Sequence, residues 1–235
     1  MSNKKILFVF AHPDDESLWT PGLIKEFSSL EGFHPYVLCL WGSLENMDPY
    51  RESQFYKSTQ ILGSNSFLVN SIEQDPISYG LQKMEVLLNE IDLIVTHSPY
   101  GDEHEHRHHK QLYSMCRDKS SQSPNTGFSY FSFLTPPYEY KSKMLAGLRR
   151  EKSHLLNILE DSSSHRTFFQ FNFDPLIKEE ALSSYQNINR EEHKNGYYAW
   201  TSSVEGYMCE DEKSKEIFLS LLSQYQCPIN KNIFS

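Results

Sequence analysis

Cysteine is scarce: Cys39, Cys116, Cys209 and Cys227 are scattered through 235 residues and form no CxxC pair. They offer no disulfide framework and read as intracellular thiols, Cys39 as a buried small hydrophobe inside YVLCL. Basic residues are also few, 22 against 31 acidic, for a formal charge of −9. Without a Lys/Arg stripe to displace counterions, nucleic acid is excluded as a partner, and the negative balance favours solubility. No apolar run approaches the length of a membrane-spanning helix. The apolar part of MSNKKILFVF is about five residues, short of the roughly 7–15 of a signal-peptide core. It enters AHPDDES directly, so a first strand and a cytoplasmic protein are expected. No GxGxxG follows that strand, which removes the dinucleotide fingerprint. Repeats, linkers and a second-domain boundary are missing too.

What remains fits a soluble globular chain, with 38% hydrophobic and 23% charged residues. Aromatics reach 14%, nearly all Tyr and Phe, a content that suits either a core or a carbohydrate cleft. The length suits one α/β domain. A single domain over 1–235 is expected, with a core at 1–115 and substrate-cleft and C-terminal elements at 116–235.

The patterning alternates strand and helix. KKILFVF is a continuous apolar run that breaks into Pro and carboxylates, as a buried parallel strand does at its carboxyl end. TPGLIKEFSSL places Leu23, Ile24 and Phe27 at helical spacing, and HPYVLCLWG is a second strand. After a polar loop comes the helix RESQFYKSTQILG, closed by Gly63, then the strand SNSFLV. LQKMEVLLNEI reads as a helix and DLIVTHSP as a fourth strand. This order predicts an α/β fold, a Rossmann-like, mostly parallel sheet flanked by helices. Later, HHKQLYSMCRDK, MLAGLRREKSHLLNIL, PLIKEEALSSYQNI and KEIFLSLLSQY read as helices, and FSYFSFLTPPYEY as a strand and loop.

In such sheets, functional groups gather beyond the carboxyl ends of the strands. HPDDE and DEHEHRHH both fall there. In AHPDDE an imidazole and two adjacent acids leave a strand in a tight turn, where consecutive acids must point differently. One can bind a metal while its neighbour takes a proton from water. His106 and His109 are three residues apart and share one helical face. Two imidazoles, a carboxylate and an open position are the usual composition of catalytic zinc. Alone, HPDD also fits a turn with a helix N-cap, and HEHRHH a solvated histidine-rich loop.

AHPDDE after an apolar strand, with HxxH far downstream, resembles the LmbE-like, or PIG-L-like, deacetylases. Members remove acetyl from N-acetylglucosamine units. The resemblance implies a mononuclear Zn2+ site with His12, Asp15 and His109 as ligands. It implies Asp14 as the general base and His106 as oxyanion stabiliser or proton donor to the leaving amine. RESQFYKSTQILG, KEEALSSYQNI and VEGY resemble further family elements, with Gln54 in place of a Glu. The second motif departs from the family's GHPDH, reading EHRHH: Glu105 replaces Gly and Arg107 replaces Pro. His104 stands where some members have a tyrosine near the substrate carbonyl, and is expected to bind substrate or else to be a surface histidine. His108 is expected either to point away or to compete as a ligand. Arg51 is expected to bind a sugar hydroxyl or phosphate, or to be an exposed helix arginine. Glu16 would support the site or begin the helix, GYYAWTSS would stack on a sugar or fill the core, and His97 would be a hydrogen-bonded structural residue.

The resulting expectation is a zinc-dependent hydrolase of an N-acetylated amino sugar or sugar conjugate, a small-molecule partner, with oligomeric state left open. Zinc lowers the pKa of bound water from about 16 towards about 7, and Asp14 takes its proton. The alternatives are a metal-dependent amidase with a non-sugar N-acyl substrate and a non-catalytic metal- or carbohydrate-binding relative.

Overall fold

The structure is a computed structural model describing residues 3–40, 49–69, 75–101, 106–132, 166–186 and 203–225, together with 151, 153 and 157. The first strand, β1 (Lys4–Phe10), is followed by α1 (Asp15–Trp19), α2 (Pro21–Ser29), β2 (Phe33–Cys39), α3 (Pro49–Leu62) and β3 (Asn65–Leu68). Then come α4 (Pro76–Lys83), a 3₁₀ turn at Leu88–Glu90, β4 (Leu93–Thr96), α5 (Arg107–Ser121) and β5 (Gly127–Ser132). Strand β6 (Thr167–Asn172), α6 (Pro175–Leu182), β7 (Val204–Cys209) and α7 (Glu212–Tyr225) complete the described elements.

One seven-stranded sheet runs β3-β2-β1-β4-β5-β7-β6. The strands from β3 to β5 in that order are parallel, as the alternating pattern predicts. Ile6 through Phe10 of β1 are fully buried, because helices cover both faces; hence the unbroken apolar run. Leu23, Ile24 and Phe27 bury the inner face of α2. Gly22 of that helix admits no side chain, since an added Cβ would lie 2.3 Å from the Phe173 ring. Gly63, at φ 78°, closes α3 in the left-handed region.

Two expected helices are corrected and two strands are added. The helix expected over LQKMEVLLNEI begins earlier, at Pro76 behind the Asp75 cap, and ends at Lys83. There the chain turns left-handed at Glu85, φ 56°. Val86 N–H reaches the Leu81 carbonyl and Glu85 N–H that of Gln82, which is a Schellman closure without glycine. The helix expected over PLIKEEALSSYQNI stops at Leu182. Its exit tightens, with Tyr185 N–H donating to the Leu182 carbonyl at 3.1 Å, and Tyr185 is fully buried. The patterning also did not single out β6 and β7 as strands. These extend the sheet in antiparallel fashion beyond β5. The segments MLAGLRREKSHLLNIL and GYYAWTSS lie largely outside the described residues, as does the stretch after FSYFS.

Candidate active site

Strand β1 lies between β2 and β4, so chain connections leave it in opposite directions and open a crevice at its carboxyl end. HPDDE follows β1, His97 follows β4, and His106 is the residue before α5. Separate segments thus deliver imidazoles and carboxylates to one place. The backbone there is bent sharply, with Asp14 at φ 127°, a conformation a non-glycine residue holds only where its surroundings enforce it.

Asp15 is 3% exposed and occupies the centre. Its Oδ2 accepts from His12 N–H at 2.8 Å, and Trp19 Nε1–H donates to Oδ1 at 3.2 Å. His12 Nδ1 stands 3.4 Å from Asp15 Oδ2 and 3.3 Å from His109 Nε2. His109 Nε2 is 3.6 Å from the same carboxylate oxygen, which closes a nearly equilateral triangle. The His106 ring lies 4.7 Å from that of His12 and 4.6 Å from that of His109. His97, fully buried, stacks on His109 at 3.8 Å and puts Nε2 3.3 Å from Asp15 Oδ2. Burial opposes ionisation of Asp15, yet His97 and His109 hold its carboxyl well below the usual range. Burial, then the charge of His109, draws His97 down to about 3.

Asp14 faces a different environment. Arg51 Nη2 donates to its Oδ2 at 2.5 Å. Burial, then the Asp15 charge, pushes the Asp14 carboxyl up to about 7 against the pull of Arg51. Its backbone N–H donates to Glu16 Oε2 at 3.1 Å. Glu16 Oε1 accepts from Ser58 at 2.6 Å, Tyr185 at 2.6 Å and Ser17 at 2.9 Å. Glu16 is fully buried, and its carboxylate ties α1 to α3 and to the exit of α6.

The fold therefore brings His12, Asp14, Asp15, His106 and His109 together. Arg51 also reaches the cluster, but through Asp14 rather than as an unengaged helix arginine. His104 lies outside the described residues. His108 does not point away: its Nδ1 is 3.3 Å from His12 Nε2. His97 does hydrogen-bond, accepting from Ala11 N–H at 3.2 Å. Its place immediately beyond a buried strand, in VTHSP, was the signal for a role beside Asp15. Ser58 and Tyr185 lie in RESQFYKSTQILG and KEEALSSYQNI, segments that resemble family elements, but nothing in the sequence pairs them with Glu16.

The first half of the chain has a matching family. Residues 7–119 match the family model described as PIG-L: GlcNAc-PI de-N-acetylase. Over those residues the chain is similar to the PIG-L family. No protein of curated function matches it. Among solved structures, a pseudoaglycone deacetylase is similar at 12% identity and TM-score 0.53, covering 89% of this chain and 97% of its own. The zinc-inhibited form of a teicoplanin deacetylase is similar at 9% identity and TM-score 0.53, covering 88% and 97%. The N,N'-diacetylchitobiose deacetylase from Pyrococcus horikoshii gives 15% identity, TM-score 0.48 and coverage of 82% and 74%. The two at 0.53 establish a shared fold.

PIG-L-like proteins bring a metal into question, and the donor set fits one. Ligand atoms about 2.0–2.1 Å from a tetrahedral zinc stand about 3.3–3.4 Å apart. The His12–Asp15–His109 triangle has edges of 3.3, 3.4 and 3.6 Å. Two overlapping groups, His12 with His106 and His109, and Asp15 with His97 and His109, also have converging donor atoms. His97 is the poorer donor, because its Nε2 lone pair already receives Ala11 N–H. Among the described residues, no helix is long and apolar enough to cross a membrane.

Proposed function

We propose that this chain is a metal-dependent N-deacetylase that hydrolyses the acetamide of an N-acetylated amino sugar or sugar conjugate. The observation that carries the reading is the division of labour between adjacent acids. Asp15 lies in a triangle with two imidazole nitrogens, while Asp14 is held outside it by Arg51. The sugar part of the proposal follows the family's description and the deacetylases that share the fold. Residues beyond 115 belong to the same working unit on this reading, since Tyr185 reaches Glu16 beside the base.

On this reading His12, Asp15 and His109 hold zinc, which when bound lowers the pKa of water and polarises the acetyl carbonyl. Asp14 takes a proton from the attacking water, at Oδ1, since Arg51 occupies Oδ2. The water oxygen bonds to the acetyl carbon. His106, beside His12 and His109, faces the charge that collects on the former carbonyl oxygen. The carbon–nitrogen bond then breaks, the sugar nitrogen takes a proton from Asp14 or His106, and acetate leaves with the free amine. A carboxyl poised near neutrality, as Asp14 is, can both accept and return a proton.

The test is acetate release from a panel of N-acetyl amino sugars and conjugates, using protein loaded with one equivalent of zinc. Release is expected from the unaltered protein, with Asp14→Asn lower by about 10²–10⁴-fold and zinc affinity retained. No release from any substrate by zinc-loaded protein would overturn the proposal.

A further inference from the structure

The two ring nitrogens of His12 face different neighbours. Nδ1 looks into the triangle, 3.4 Å from Asp15 Oδ2 and 3.3 Å from His109 Nε2. Nε2 looks out of it, towards His108 Nδ1 at 3.3 Å. A neutral imidazole has one protonated nitrogen and one lone pair. If Nδ1 is to serve as a donor atom within the triangle, the proton belongs on Nε2, and the group facing that proton must accept it.

We infer that His108 is the positioning residue of His12, accepting the His12 Nε2 proton at its own Nδ1 and so fixing both the tautomer and the ring orientation. The inference rests on the proposed metal site. Ligating histidines almost always give their outer N–H to a carboxylate, a backbone carbonyl or water; here a second imidazole fills that place. Accepting at Nδ1 requires His108 to carry its own proton on Nε2. The ring geometry agrees, with His108 centred 5.5 Å from His12 at a tilt of 43°. Two successive residues of α5 therefore act on the same side of the site. His109 supplies a nitrogen to the triangle and His108 orients the histidine opposite it. On this reading the effect of His108 passes through His12.

This predicts that zinc affinity depends on an acceptor at position 108. His108→Phe keeps a ring and removes the acceptor. His108→Asp restores an acceptor with a different shape. Zinc affinity is measured by competition with a chelator, beside the melting temperature of the metal-free proteins. His108→Phe is expected to weaken zinc binding by about 10–100-fold without lowering the metal-free melting temperature, and His108→Asp to recover most of it. Unchanged affinity in His108→Phe would overturn the inference. So would equal losses in both variants, since the effect would then come from packing. An unaltered protein that binds no zinc would sink the metal site itself and this inference with it. Tight zinc binding without acetate release would defeat only the deacetylase reading.

Discussion

Asp15 and Glu16 are consecutive, both buried, and belong to different kinds of environment. Asp15 is surrounded by His12, His97 and His109. Imidazoles can offer either a proton or a lone pair, so they and a carboxylate can turn together towards a cation. Glu16 is surrounded by the hydroxyls of Ser17, Ser58 and Tyr185 and by Asp14 N–H. Those donors satisfy it completely within the protein. The electrostatics divide accordingly: imidazole neighbours hold Asp15 well below the usual carboxylate range, while burial raises Glu16 despite its hydrogen bonds. What distinguishes a candidate ligand from a structural anchor here is the chemistry of the partners, since burial is the same for both.

The sharpest way to break this comparison is to remove each acid in turn. On the proposed reading, Asp15→Ala deletes a ligand. Zinc affinity should then fall by more than the roughly 100-fold that loss of an outer partner can cost, and acetate release should disappear. Glu16→Gln keeps the shape, and the surrounding hydroxyls can rotate to accept from the new amide. Its zinc affinity should stay close to that of the unaltered protein. Equal losses of zinc in the two variants, measured by chelator competition, would erase the distinction.

A smaller effect tests the anchor alone. Tyr185→Phe removes one donor to a buried carboxylate and leaves the ring in place. Hydrogen bonds to charged groups contribute about 1.5–3 kcal/mol, so urea unfolding should show a loss in that range, with zinc affinity unaltered. A variant as stable as the original would mean that the Glu16 cluster does not hold the α6 exit against α1 and α3.

The two clusters also differ in how far they could be read in advance. The Asp15 side was legible because its residues obey local rules. A buried strand ending in AHPDDE delivers acids to a sheet edge, and His106 and His109 share a helical face by spacing alone. The Glu16 side was not, because Ser58 and Tyr185 lie 42 and 169 residues from Glu16 and no local rule links them to it. His108 was ambiguous for a related reason: spacing fixes its place on α5, but its partner is set by where β1 ends. In the fold, the parallel half was legible from unbroken apolar runs, which double-sided burial demands. Strands β6 and β7 were missed because they extend the sheet by antiparallel pairing, outside its parallel half. The boundary of α4 was missed because a glutamate, Glu85, takes the left-handed position where glycine is the usual signal.

A third carboxylate isolates the role of burial. Asp75 caps α4, accepting from Ser78 N–H at 3.2 Å, and pairs with Lys119, yet it lies near the surface. What burial it has opposes ionisation, but Lys119 and Ser78 prevail and lower its pKa. A carboxyl held lower in the folded protein than in the unfolded chain stabilises fully above its ordinary value, 3.8. That contribution is lost as pH falls through the lower folded value. Asp75→Ala should therefore cost about 1 kcal/mol at neutral pH, chiefly as a lost cap, because an exposed ion pair adds little. The stability gap between the two proteins, measured by urea unfolding, should narrow as the pH drops below 3.8. A gap unchanged at about pH 2 would show that the charge on Asp75 does not matter. In that case proximity to donors alone would not set a carboxylate's contribution in this fold, and the contrast drawn between Asp15 and Glu16 would lose its premise.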